Sequence, residues 1–214
     1  MNWLKNISRM LVACVLVAMT GIASAQYVAG THYDEVAVDP ALRELQTPGD
    51  KPQITELFWY GCPHCNAFDP LLDAWVAEKG AAITFARLPV AWNAITQQHA
   101  RMFFTAKTLG VGAQLHRPFF DAIHQQHNSL AQPAAIEQFF VAHGVPAEKF
   151  NGTFESFVID SMLRKHAATM TALQVPGVPA MLLNGRYIVQ YGTEAVPTQQ
   201  AMLEVVDFLL QQKP

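Results

Sequence analysis

The pattern of apolar and polar positions divides the chain into short elements. Residues 54–60 form a run of branched and aromatic side chains closed by Gly61, with Glu56 as its one charge; this predicts a strand buried on both faces. From 63 to 79 the apolar positions Phe68, Leu71, Leu72, Trp75 and Val76 recur at helical spacing, with Pro70 inside the helix expected to kink it. Residues 81–90 read as a second strand. Between 92 and 173 the period is helical throughout, with turn signals at Gly110-Val111-Gly112, Asn128-Ser129, Gln132-Pro133 and Gly144-Val145-Pro146, so about four helices are expected. Residues 178–183, the turn Asn184-Gly185 and residues 186–191 give a strong hairpin signal, followed by an amphipathic helix over 197–212. Residues 26–52 read as an extended arm with one short edge strand. The order strand, helix, strand, helical block, hairpin, helix predicts an α/β fold: a small mixed sheet interrupted by an all-helical insertion.

The first 25 residues stand apart. Lys5 and Arg9 precede an apolar run over 10–22 that ends in Ala23-Ser24-Ala25, the layout of a secretory signal peptide cleaved after Ala25. The run is shorter than the roughly 20 residues a membrane-spanning helix needs, which argues against an uncleaved anchor. Leu11-Val12-Ala13-Cys14 has the form of a lipoprotein box, but cleavage there would leave a greasy segment behind it. The expected organisation is a leader over 1–25, a sheet domain over 26–91 and 174–214, and a helical insertion over 92–173.

Composition narrows the function classes. With 51% hydrophobic and 14% charged residues among 214, the chain can bury a substantial core without metals or many disulfides. Loss of the leader removes Lys5 and Arg9 and no acid, leaving 12 Lys and Arg against 17 acids, a net charge near −5 that speaks against nucleic acid as a partner. Of three cysteines only Cys62 and Cys65 remain, too few for a disulfide framework; in an exported protein this spacing reads as a redox pair.

A Cys-x-x-Cys at the start of a helix places the first sulfur near unpaired N–H groups and the positive end of the helix dipole, which favours Cys62 as a thiolate and nucleophile. Pro63 suits the first helical turn, and His64 adds a donor and some positive charge. A stabilised thiolate stabilises the reduced form, so the disulfide becomes a better oxidant. Two other readings stand beside this one. A structural bridge over so short a loop adds little chain-entropy stabilisation. A zinc-binding module would need histidines to complete a set of about four ligands.

The run Phe58-Trp59-Tyr60-Gly61-Cys62-Pro63-His64-Cys65, together with Gly177-Val178-Pro179-Ala180-Met181 ahead of Asn184-Gly185, resembles the DsbA family of the thioredoxin superfamily. That family is itself a standard example of a low-pKa, strongly oxidising cysteine pair. The resemblance covers essentially all of the chain after the leader. It implies a thioredoxin fold with a helical insertion and a periplasmic thiol:disulfide oxidoreductase acting on exported proteins with free thiols. It further implies a DsbB-type, quinone-linked membrane protein as reoxidant, and no cofactor or metal beyond the Cys62–Cys65 disulfide, with Cys65 resolving mixed disulfides. It makes Val178–Pro179 a cis bond beside the cysteines, presenting the Val178 backbone to an extended substrate segment. Glu56, six residues before Cys62, takes the place of a buried acid beneath the second cysteine, a proton acceptor for Cys65, with Arg87 the nearest candidate for a partner base; the alternative is a strand-end glutamate facing solvent.

A disulfide reductase or isomerase on the same fold is the competing function, but the residues ahead of the first strand are too few for a separate dimerisation domain, which argues for a monomer. Phe58, Trp59 and Tyr60 read as core, with Trp59 near enough to report redox state. His99, His116, His124, His127, His143 and His166 fall on helical segments and read as exposed or hydrogen-bonded. Pro176 reads as a turn residue, and Asn151-Gly152-Thr153 as a chance sequon.

Overall fold

The computed structural model describes residues 27–47 and 49–212; the leader expected over 1–25 and its cleavage site lie outside them. Among the described residues five strands form one sheet in the order β1-β5-β4-β2-β3. At its centre β2 (Gln53–Phe58) pairs in parallel with β3 (Thr84–Pro89) and antiparallel with β4 (Ala180–Leu183). The hairpin partner of β4 is β5 (Tyr187–Gln190), and two residues of the arm, β1 (Asp34–Glu35), pair with the outer edge of β5. The turn at Asn184-Gly185 has both residues at positive φ, as a tight hairpin requires. Helix α2 (Pro63–Lys79) makes the crossover between β2 and β3, and α8 (Gln199–Gln211) closes the chain.

Alternation along the strands assigns the two faces. Ile54, Met181, Leu183 and Val189 pack under Phe68, Leu72 and Trp75 of α2 and under Met202, Leu203 and Val206 of α8. Leu57, Ala180, Leu182 and Ile188 face the other way, against Met170 and Leu173 of α7 (Phe157–Leu173) and against Leu42. Both faces are covered, which is why residues 54–60 carry no solvent-facing alternation.

The helical insertion differs in detail from the expectation. It contains five helices, not about four: α3 (Ala94–Thr108), α4 (Gly112–His124), α5 (Pro133–Ala142), α6 (Ala147–Phe154) and α7. The break between α6 and α7 carries neither Gly nor Pro; Ser156 makes it by capping α7, its side chain accepting from Ile159 N. His127 lies in the loop after α4, not on a helix, with φ at +55°. The arm is less extended than expected, since Asp39 caps a short turn at Pro40–Leu42 that continues into α1 (Arg43–Gln46). Within α2, Pro70 interrupts the hydrogen-bond ladder without ending the helix. The Asn66 carbonyl, which Pro70 cannot serve, accepts instead from Arg117 Nη1 of α4 at 3.3 Å, so the insertion completes a bond the helix lacks.

Candidate active site

Cys62 is the N-cap residue of α2, with extended backbone angles, and Pro63 follows at the first helical position, where its missing N–H costs nothing. Both cysteines are free thiols. Cys62 is 8% exposed and Cys65, one turn inside the helix, is fully buried, so an approaching thiol can reach only the first sulfur. Their acidities diverge accordingly. The Cys65 thiol, then the N–H groups of Cys65 and His64 and charge on His64, draw the Cys62 pKa down to about 6 against the opposing effect of burial. Burial first, and the neighbouring Cys62 second, push Cys65 far above the usual thiol range. One sulfur is therefore built to be a thiolate and the other to hold its proton.

The loop before β4 forms the opposite wall. The Val178–Pro179 bond is cis. The Cys62 Sγ lies 3.5 Å from the Val178 carbonyl oxygen, and Gln190 Nε2 donates to the Gly177 carbonyl at 3.0 Å, fixing the loop to β5. Pro176 begins that loop. On the remaining side the His64 ring meets Tyr191 edge-on at 5.8 Å, and Gln199 Nε2 of α8 donates to the His64 carbonyl at 2.7 Å.

Beneath Cys65 lies a buried charge cluster. Glu56 sits on the α2 face of β2 and is 1% exposed, which rules out the solvent-facing alternative. The parallel register sets Arg87 of β3 directly beside it, and Arg87 Nε donates to Glu56 Oε2 at 2.9 Å. Glu56 Oε1 has no hydrogen-bond partner among the described residues. Burial raises the Glu56 pKa to about 7; Arg87 opposes this, while Asp69 and Asp73 reinforce it. Arg87 Nη2 also donates to Asp69 at 3.2 Å and to Asp73 at 2.6 Å, so one guanidinium is shared by three carboxylates. Asp69 further accepts from His116 Nε2 at 3.1 Å and Arg117 Nη1 at 3.3 Å. Although burial opposes it, these donors hold the Asp69 pKa below its ordinary value. Glu56 thus stays within reach of protonation near neutrality while Asp69 remains the anion.

The sequence pattern brings together Cys62, Pro63, His64, Cys65, Glu56, Val178 and Pro179, and the structure places all seven around one point. It adds Asp69, Asp73, Tyr191 and Gln199, which sequence reasoning missed. The spacing of Cys65, Asp69 and Asp73, each four residues apart on one helix face, was the available signal. Among the described residues no group of three or more His, Cys, Asp or Glu side chains is arranged to hold a metal ion.

The comparisons with known proteins agree with this geometry. The family described as DSBA-like thioredoxin domain matches residues 72–204. The chain is 36% identical over 207 residues to the thiol:disulfide interchange protein DsbA of Pseudomonas aeruginosa, covering 93% of this chain and 95% of that one. It is 33% identical to the protein of the same name from Azotobacter vinelandii, covering 90% and 87%. The crystal structure of Pseudomonas aeruginosa DsbA superposes with a TM-score of 0.76 at 36% identity, covering 86% of this chain and 93% of that chain. With a mixed sheet, an inserted helical block and a Cys-Pro-His-Cys turn at the head of α2, the chain belongs to the DsbA family of thiol:disulfide oxidoreductases.

Proposed function

We propose that this disulfide oxidoreductase works as a dithiol oxidase in the periplasm, after export and cleavage following Ala25. The observation that carries the reading is the divergence of the two sulfurs, a reachable Cys62 with pKa about 6 against a buried Cys65 that keeps its proton. In the oxidised protein a substrate thiolate attacks Cys62 Sγ; the Cys62–Cys65 bond breaks and its electron pair goes to Cys65, which takes up a proton. Glu56, beneath Cys65 with a pKa about 7, exchanges that proton with Cys65, supplying it here and accepting it when the pair is reoxidised. A second substrate thiolate then attacks the substrate sulfur of the mixed disulfide and Cys62 leaves, favoured by its low pKa. The substrate loses two electrons and gains a disulfide; the protein departs as the dithiol.

Pro63 and His64 tune the thiolate, and the Val178 backbone beside Pro179 pairs with an extended substrate segment, recognising main chain more than sequence. Substrates are exported proteins still folding with free thiols. Reoxidation falls to a DsbB-type, quinone-linked membrane protein, with Cys65 resolving the mixed disulfide; no bound cofactor is needed. The protein acts as a monomer and takes no nucleic acid. The test is equilibration of residues 26–214 with glutathione buffers, following free thiols and Trp fluorescence. A dithiol that stays reduced until the buffer is strongly oxidising supports the oxidase; a disulfide formed already in strongly reducing buffer makes the protein a reductase.

A further inference from the structure

Residues 59–61 are the whole link between β2 and Cys62, and no sheet pairing extends over them. They are held instead by three histidines of the helical insertion. Trp59 Nε1 donates to His99 Nδ1 at 2.9 Å, and His99 Nε2 lies 2.9 Å from the Ser129 carbonyl oxygen. An indole N–H can only donate, so Nδ1 is the acceptor and the single ring proton sits on Nε2, directed at Ser129. His124 Nε2 lies 2.8 Å from the Tyr60 carbonyl oxygen and must be its donor. His116, whose Nε2 faces the Asp69 carboxylate, accepts from the Tyr60 hydroxyl at Nδ1, 3.0 Å away. The Trp59 ring so held covers Gly61, where a Cβ would come within 2.3 Å of it; only glycine leaves room. Both residues before Gly61 are thus fixed from α3 and α4, by side chain and by backbone.

We propose that His99, His116 and His124 are positioning residues through which the helical insertion sets the redox equilibrium of the Cys62–Cys65 pair. They fix the Trp59-Tyr60-Gly61 lead-in, and with it the angle at which the His64 and Cys65 N–H groups meet the Cys62 sulfur. The inference rests on Cys62 acting as a stabilised thiolate, as in the oxidase reading above. Loosening the lead-in withdraws those donors, destabilises the thiolate and makes the disulfide a weaker oxidant.

The experiment measures thiolate absorbance against pH and the equilibrium constant with glutathione, for residues 26–214 and its variants. His99→Leu, confirmed folded by circular dichroism, is expected to move the equilibrium about tenfold toward a weaker oxidant, or about 30 mV, with Cys62 titrating at higher pH. His99→Asn, whose amide oxygen takes the place of Nδ1 and accepts from Trp59, recovers most of that shift. His124→Leu moves both readouts in the same direction as His99→Leu. A folded His99→Leu with the wild-type titration and equilibrium constant overturns the proposal, as does an Asn variant shifted as far as Leu. If His99→Leu does not fold, Trp59→Phe deletes the same bond from its other end; there too a wild-type equilibrium constant is the refuting result. A wild-type protein that proves reducing would refute the oxidase reading but leave the variant-to-wild-type ratios to decide this one.

Discussion

The two faces of the central sheet are built to different rules. Under α2, β2 and β3 bring Glu56 and Arg87 together and α2 adds the buried Asp69, with the exposed Asp73 at the outer end of the cluster, so charge is buried beneath Cys65. Against α7, β2, β4 and β5 present Leu57, Leu182 and Ile188 to Met170 and Leu173, an apolar contact in which the described residues form no ion pair. A buried ion pair contributes little to stability, because desolvation offsets its attraction, whereas buried Leu and Ile contribute strongly. The contrast teaches that both faces carry an apolar core, while the proton chemistry is confined to the α2 face.

Four experiments sharpen or break that contrast. The largest effect is expected of Cys62→Ser, which should abolish oxidation of a dithiol peptide, while Cys65→Ala should accumulate mixed disulfides visible on non-reducing gels; residual turnover in the first would remove Cys62 from its role. Next, Leu182→Ala on the α7 face should cost about 2–5 kcal/mol in urea denaturation and leave the Cys62 titration at about 6. A shifted titration would show that the faces are not independent.

The third is a pH dependence confined to the reduced protein. Its Cys62 pKa falls from 9.0 to about 6 on folding, so the associated stability is fully present above about pH 9 and is lost as pH drops through about 6. Reduced minus oxidised stability should therefore rise across that window by about 2–4 kcal/mol; equal slopes for the two forms would contradict it. Smallest is Glu56→Gln. The Glu56 pKa rises from 4.5 to about 7 on folding, so its stabilising protonation is complete below about pH 4.5 and lost as pH rises through about 7. Relative to wild type, the Gln variant should gain about 1–3 kcal/mol in alkaline over acidic buffer, read from melting temperatures; a constant difference would mean that Glu56 is ionised throughout.

The elements around the cysteines were legible because strong signals coincide there: a branched and aromatic strand, a helix opened by Pro63, and the Asn184-Gly185 hairpin. The α6–α7 break was not, since Glu155 closes one helix and Ser156 caps the next with no Gly or Pro between them. The partnership of Glu56 with Arg87 depends on strand register, which no local pattern encodes and which the parallel pairing alone decides. The histidines on Trp59 and Tyr60 were hidden for a similar reason: their spacing means nothing along the chain and acquires meaning only when α3 and α4 fold over the turn. Their places on helical segments leave exposed and hydrogen-bonded both open; which holds, and to what, is a tertiary fact.

The pairing of β2 with β4 also orders events in time. Between the two strands lies the entire helical insertion, and α8, whose Gln199 secures the His64 carbonyl, comes later still. A chain released N-terminus first presents both cysteines long before the strand and helix that complete their surroundings have emerged. Until those last elements arrive the Val178–Pro179 wall and the Gln199 bond to the His64 carbonyl are missing, so a nascent or truncated chain carries the same two cysteines without the surface that faces them. Completion of the site waits on the final quarter of the molecule to be made.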